Sequence, residues 1–135
     1  MTPRESRGLA VLMCVWWLQV TPAAAAAAIE GSGAILQGLD KVTARVSKLE
    51  APINRLLRFG TLEIIVRACR KTPPEEPPES AAFIEIRDAK PGQATVALFT
   101  GWMFASSPAL SALEHPVYDV WVLDCLPPTE PASSD

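Results

Sequence analysis

The one histidine of the chain, His115, lies close in sequence to several groups that could take part in acid–base or nucleophilic chemistry. Ser106 and Ser107 precede it, Glu114 adjoins it and Asp119 follows it. A serine nucleophile would need the histidine as its base, but the chain has no G-x-S-x-G elbow, and a serine directly before a proline is typical of a helix N-cap. We therefore predict no catalytic residue here and expect His115 to bond nearby backbone at a helix end.

Three acidic residues near the C-terminus, Glu114, Asp119 and Asp124, could supply the two carboxylates of a glycosidase. Such carboxylates stand about 5 to 9.5 Å apart across a cleft. Asp119 and Asp124 are five positions apart, so on a regular strand they point to opposite faces, and that pair is excluded. One histidine and two cysteines that are expected to pair leave too few ligands for zinc, and we predict neither a metal nor a cofactor.

The first 28 residues have the three parts of a cleavable secretory signal peptide. Arg4 and Arg7 precede an uncharged apolar run at 8–20, and Pro22 and six alanines follow it. The apolar run is well short of the roughly 20 residues that span a bilayer, so we expect cleavage between Ala26 and Glu30 and no membrane span afterwards. An uncleaved anchor would need the alanines to extend the helix, which the proline disfavours.

The net charge and the cysteines of the residues that remain after cleavage limit the class of protein. The whole chain has 12 basic and 15 acidic residues, and removing Arg4, Arg7 and Glu5 leaves 10 and 14, a net charge of about −4. An acidic domain of this kind is a poor ligand for nucleic acid. Cys69 and Cys125 are then the only cysteines, and in an oxidising compartment two such cysteines usually pair.

The first half of the mature chain predicts a flexible lead-in and two strands. Residues 29–38 are glycine-rich and indicate the lead-in, and a single β domain follows at 39–126. Alternation at 42–47, with Val42 and Val46 on the buried side, predicts a strand that Pro52 ends. Residues 59–69 predict a second strand with Cys69 on its more polar face, so either the disulfide lies at the strand's end or a bulge changes the register.

The second half predicts an exposed proline-rich loop at 71–78, a strand at 82–87 and a turn at 90–92. That strand forms a hairpin with the apolar run 95–104, which we expect to be the central strand, covered on both faces. A short helix begins at Ser107 and Pro108, a last strand covers 117–125, and 127–135 is expected to be a disordered tail. The fold class is therefore all-β and mainly antiparallel: a small sandwich or partly open barrel of five to six strands with one short helix and one disulfide.

Aromatic side chains are concentrated in the last two elements. Trp102 and Phe104 share one face of their strand and Met103 the other, so the three cannot all fill one core layer. One interpretation is an apolar docking patch for a partner protein, for which the candidate binding residues are Trp102, Met103, Phe104, Ser107, His115 and Tyr118. The alternative is that the helix at 108–114 covers the second face.

Three long runs of the sequence resemble a bacterial family. They are residues 39–49 (LDKVTARVSKL), 59–76 (FGTLEIIVRACRKTPPEE) and 101–125 (GWMFASSPALSALEHPVYDVWVLDC), and they are similar to domain-of-unknown-function family 2155. This resemblance implies a small exported protein of the kind found chiefly in alphaproteobacteria, and a Gram-negative source would place it in the periplasm. It implies no activity and no catalytic residues.

Two functions remain open at this point. The first is a non-enzymatic periplasmic accessory or binding protein that docks an unknown protein partner through the 101–118 region, with an inner-membrane respiratory or envelope complex as the suggested assembly. The second is a hydrolase acting on envelope carbohydrate or peptide, with Glu114, His115 and Asp119 as its acid and base groups.

Overall fold

Two antiparallel sheets make up the computed structural model, which describes residues 27–130 and, apart from them, Pro3. The strands are β1 (Ile29–Glu30), β2 (Gly33–Asp40), β3 (Arg45–Pro52), β4 (Leu56–Phe59), β5 (Leu62–Lys71), β6 (Ser80–Asp88), β7 (Val96–Phe104) and β8 (Tyr118–Leu126). The five-stranded sheet has the order β1-β5-β6-β7, with β4 also paired to β5, and the three-stranded sheet has the order β3-β2-β8. The predicted all-β, mainly antiparallel fold class is confirmed, as a sandwich rather than a closed barrel. The described residues form eight strands rather than the predicted five to six, because β1, β2 and β4 were not predicted. Apart from Pro3, the predicted signal peptide up to residue 26 lies outside the described residues.

The prediction of a flexible lead-in at 29–38 is wrong, because β1 and most of β2 lie there. β2 is the central strand of the three-stranded sheet, and Ala34 and Leu36 are completely buried. The glycines that indicated flexibility instead permit close packing. A Cβ atom on Gly38 would come within 2.8 Å of the Phe59 ring, so the strand approaches that ring as only glycine can.

The predicted strand at 42–47 is wrong in its first half, which is the turn between β2 and β3. The Asp40 carboxylate accepts hydrogen bonds from the Val42 and Thr43 amides at 2.9 and 3.2 Å, and Ala44 takes a positive φ of 55°. Val42 is 77% exposed. Local aspartate-to-backbone bonds stabilise a turn here and override the alternating pattern. The end of this strand at Pro52 is confirmed.

A β-bulge in β5 settles the position of Cys69. The register against β6 shifts between Val66 and Ala68, so Leu62, Ile64 and Val66 are buried and, beyond the bulge, so is Cys69. The bulge is therefore the correct one of the two alternatives.

The β6–β7 hairpin is confirmed, with a turn in which Gly92 has a φ of 72°. The prediction that 95–104 is the central strand is wrong: β7 is the edge of the five-stranded sheet, and Met103 is its one buried residue. The connection at 105–117 begins beside the start of β6, where the Ala105 amide donates to the Ser80 carbonyl. It reaches the other end of β6 at His115, which contacts Asp88. It contains a 3-10 helix, Pro108–Ser111, which is shorter than predicted and has no side-chain cap from Ser107.

The disulfide between Cys69 and Cys125 is confirmed, and it joins β5 of one sheet to β8 of the other. Both cysteines belong to the core, being 2% and 7% exposed. The last predicted strand is found as β8. Residues 127–130 have no helix or strand, and the rest of the predicted disordered tail lies outside the described residues. No helix in the described part of the chain has the length and apolar character to cross a bilayer.

Candidate functional site

The disulfide end of the sandwich carries a cluster of polar side chains. Lys71, the last residue of β5, contacts the Asp124 carboxylate at 3.0 Å, and the Ser80 hydroxyl donates to the same carboxylate at 3.0 Å. Next to them Glu79 accepts hydrogen bonds from the Ser80 amide and from both the amide and the hydroxyl of Ser106. The cluster thus joins the start of β6 to the end of β8 and to the 105–117 connection.

Both carboxylates of this cluster are held in the ionised form. The Ser106 hydroxyl, ahead of the backbone donors, lowers the pKa of Glu79. Burial pushes the pKa of Asp124 upward, but Lys71, the Cys125 amide and Ser80 together lower it. A carboxyl with a lowered pKa is a poor proton donor and a weak base near neutral pH. The cluster is therefore better suited to fastening strands than to acid–base chemistry.

At the opposite end of the sandwich, both ring nitrogens of His115 form hydrogen bonds within the fold. Its Nδ1 accepts hydrogen bonds from the Val117 and Tyr118 amides at 3.0 and 3.1 Å, and its Nε2 lies 3.0 Å from the Asp88 carboxylate. Because Nδ1 accepts two bonds, the ring proton is on Nε2 and is donated to Asp88. The expectation of a histidine bonding nearby backbone is confirmed, although the helix ends at Ser111.

Asp88 is itself surrounded by groups that stabilise its charge. The nearby Thr61 hydroxyl contributes most to lowering the pKa of Asp88, followed by His115 and Lys90, against the opposing effect of burial. The Thr61 hydroxyl and Oδ1 of Asp88 are both buried, and no hydrogen bond of ordinary geometry joins them. With His115 only 7% exposed and both of its nitrogens occupied, this cluster has no free base to offer a substrate.

Two of the acidic residues considered for hydrolysis, Asp119 and Asp124, lie far apart on β8. Asp119 pairs with Lys41 at 3.0 Å, whereas Asp124 pairs with Lys71. β8 is not regular, because its register against β2 shifts at Leu123, so the argument from opposite faces does not apply. Their cross-strand partners on β2, Leu39 and Ile35, are four residues apart, so the two positions on β8 still lie roughly 13 Å apart, beyond the spacing of a glycosidase pair. No group of residues suited to holding a metal ion occurs between residues 27 and 130.

An aromatic patch covers part of the outer face of the five-stranded sheet, which points away from the three-stranded sheet. Phe83 on β6 and Trp102 on β7 are cross-strand neighbours whose rings meet edge to face at 5.6 Å. The Arg70 guanidinium lies over the Trp102 ring at 5.5 Å from its centroid. Phe104 follows on the same face and is 37% exposed. We call these four residues the aromatic patch.

Beyond the aromatic patch the same outer face carries ion pairs. Arg67 pairs with Glu85 at 3.1 Å, and Arg87 pairs with Glu63 at 3.1 Å. Charged pairs of this kind are an ordinary solvent-exposed surface, whereas adjoining aromatic rings beneath an arginine have the composition of interface centres. The aromatic patch, unlike the ion-paired part of the same face, is therefore not an ordinary solvent-exposed surface.

The six partner-binding candidates do not form one surface. Trp102 and Phe104 lie together in the aromatic patch, but Met103 is 2% exposed and points into the core, and His115 is buried. Tyr118 packs against Phe59 at 5.4 Å near the far end of the sandwich. Ser107 is half-buried beside Ser106. Arg70 and Phe83 were not predicted, because the bulge in β5 and the pairing of β6 with β7 bring them to Trp102.

A cleft opens beside the disulfide, where three hollows meet at Lys71. The largest, of about 410 Å³, lies against Leu126, Pro127 and Pro128. A second, of about 220 Å³, lies against the loop that carries Pro73, Pro74 and Pro78. The third, also about 220 Å³, is bounded by the Ser80–Asp124 contact and by Leu123. Lys71 lines all three hollows, and its ion-pair partner Asp124 lines the first and the third.

Comparison with known proteins gives a family but no activity. The family model described as an uncharacterized protein conserved in bacteria (DUF2155) matches residues 34–125. The uncharacterized protein RP359 of Rickettsia prowazekii (strain Madrid E) is 30% identical over 87 residues, which cover 64% of this chain and 56% of that protein. The chain therefore spans little more than half the length of the curated relative it matches. No solved structure matches it. Since the family match extends over both sheets and both cysteines, the chain belongs to the bacterial family of unknown function DUF2155.

Proposed function

We propose that this chain is an exported, non-enzymatic accessory protein that holds a partner protein against the aromatic patch. The observation that carries the proposal is the set of adjoining rings of Phe83, Trp102 and Phe104 on an open sheet face, with Arg70 over the tryptophan. Tryptophan and arginine are the residues most often found at the energetic centres of interfaces. Two of these four residues belong to the 101–118 region.

Export is supported by the leader sequence and by the cross-linked cysteines. A disulfide persists in oxidising compartments such as the bacterial periplasm and is rare in the cytosol. A periplasmic location would bring the aromatic patch within reach of inner-membrane respiratory or envelope complexes, and we propose that the partner is a component of one of these.

A hydrolytic function is not favoured by the arrangement of the acidic groups. Asp119 is committed to Lys41, and His115 uses both ring nitrogens within the fold. Glu114 is exposed and has no ion-pair partner among residues 27–130, so it would have to act alone. Catalysis by a positioned acid and base needs two groups within reach of one substrate, and these three do not meet that requirement.

Site-specific photo-crosslinking in intact cells tests the proposal. A benzophenone side chain replaces Phe104 in one strain and Val42, which is 77% exposed in the β2–β3 turn, in another. We expect a discrete crosslinked protein from position 104 and none from position 42. The same band should weaken by tenfold or more when Trp102→Ala is added, since an aromatic centre contributes about 2 kcal/mol or more to an interface, which is about thirtyfold or more in affinity.

Two results would overturn this function. One is the absence of a crosslinked partner at position 104 while the folded protein is present at its normal level. The other is equal crosslinking at positions 42 and 104, which would indicate random contact.

A further inference from the structure

The two walls of the cleft beside the disulfide are both built of proline. Pro73, Pro74 and Pro78 form one wall, and Pro127 and Pro128 form the other. Proline has a fixed φ and no amide hydrogen, so these walls are conformationally restricted and offer no backbone donors. A ligand here would meet preorganised apolar faces at a small entropic cost, and it would not be held as an added β-strand.

The rim of the cleft is acidic and lacks neutralising partners. Glu76 lines the hollow at the first wall, Glu75 precedes it in the chain and Glu130 follows the second wall by two residues. All three are exposed, and none of them forms an ion pair with the residues from 27 to 130. The two basic residues nearby are already engaged, since Lys71 pairs with Asp124 and Arg70 lies over Trp102 and near Glu30. The local field therefore favours a cation in the cleft.

Exposed apolar side chains lie in the same place. Ile29 is 37% exposed and contributes to two of the hollows, and Leu123 is 38% exposed in the third. The hollows of about 410, 220 and 220 Å³ follow one another around Lys71. The first two hollows are lined mainly by apolar side chains, and the third is lined by Leu123 among polar groups. Such a succession of separate hollows suits the successive side chains of an extended peptide better than a single compact molecule.

We propose that the cleft binds an extended segment of a partner protein in which basic and apolar residues alternate. The apolar side chains enter the hollows between the proline walls, and the basic side chains meet Glu75, Glu76 and Glu130 at the rim. A bilayer surface is the poorer match, because its anionic headgroups would face the same carboxylates. This site is separate from the aromatic patch and does not depend on it.

Fluorescence anisotropy with a defined peptide tests the site. The probe is a fluorescein-labelled hexapeptide, Lys-Leu-Lys-Leu-Lys-Leu, and the protein is purified from cells with its disulfide intact. We expect saturable binding that weakens as salt is raised, because the attraction between charges is screened. The same peptide length with glutamate for lysine, or with serine for leucine, should bind at least tenfold more weakly.

Variants distinguish the cleft from the rest of the surface. Pro128→Lys should weaken binding about tenfold, since it places a cation on the wall, while Val42→Lys in the distant turn should leave it unchanged. Glu76→Gln should weaken binding two- to fivefold, and Glu114→Gln, at another exposed carboxylate, should not. Trp102→Ala should also have no effect, so that failure here and failure of the proposed function are separable. Equal binding of the lysine and glutamate peptides, or no effect of Pro128→Lys, would overturn the proposal.

Discussion

His115 shows at the scale of one residue how a reactive side chain can serve structure alone. Its Nδ1 holds the Val117 and Tyr118 amides and its Nε2 holds Asp88, so the ring closes the 105–117 connection onto the end of β6. Its backbone carbonyl is held as well, by Lys41 Nζ at 2.9 Å. Both ring nitrogens are therefore bonded within the fold, and neither is free to exchange a proton with a substrate.

Replacing His115 should therefore change stability in a way that depends on the acceptor retained. His115→Ala leaves two amides and a carboxylate oxygen without their partner in a buried place, and we expect a loss of about 2–3 kcal/mol in the free energy of unfolding. His115→Asn keeps a side-chain oxygen near the position of Nδ1 and should recover about 1 kcal/mol of this. Urea denaturation measures both variants. Equal losses for alanine and asparagine would contradict the proposed role of Nδ1.

Only part of the aromatic patch could be predicted from the sequence. Alternation along one strand correctly put Trp102 and Phe104 on the face opposite Met103, because side-chain direction has a period of two. It could not supply Arg70 or Phe83, which reach Trp102 through cross-strand pairing and through a bulge. Pairing between strands is a non-local property that one strand's pattern does not contain.

At the scale of the element, local composition predicts the opposite of what is found in β2 and in the turn that follows it. The glycine-rich segment is the buried centre of a sheet, and the alternating valines that follow lie in an exposed turn and the edge strand β3. A glycine can indicate either a flexible segment or a place of close packing. An aspartate can indicate either the end of a strand or a turn. Only the tertiary contacts of Gly38 with Phe59 and of Asp40 with its own turn decide between them.

A pair of truncations tests this inversion. Leu36 is completely buried in β2, so Leu36→Ala should lower the free energy of unfolding by about 2–5 kcal/mol through lost burial and a cavity. Val42 is 77% exposed, so Val42→Ala should change it by less than about 0.5 kcal/mol. The measurement is again the urea midpoint at constant slope. A larger loss at Val42 than at Leu36 would restore the first interpretation of this segment.

At the scale of the whole molecule, ionised carboxylates fasten both ends of the sandwich. Glu79 and Asp124 lie at the disulfide end, where the covalent link also joins β5 to β8, and Asp88 lies at the end closed by His115. The structure thus depends on side-chain bonds where β6 meets the connection and β8, in addition to the burial of its core. Composition indicated the disulfide, but the contacts of Glu79 with Ser106, of Asp124 with Ser80 and of Asp88 with His115 could not be foreseen, because each joins residues distant in sequence.

This arrangement predicts sensitivity to acid. The pKa values of Glu79, Asp88 and Asp124 are all lower in the folded protein than their ordinary values of 4.5, 3.8 and 3.8. Their contribution to stability is fully present above those ordinary values, and it is lost as the pH falls through the lower folded values, because the unfolded chain then binds more protons. The urea midpoint should be insensitive to these groups between pH 7 and about 5 and should fall below about pH 4. Asp124→Asn should reduce stability at pH 7 and make this acid-induced fall shallower. A midpoint that stays constant down to pH 3 in the unaltered protein would show that the bonds of these carboxylates do not contribute to the stability of the fold.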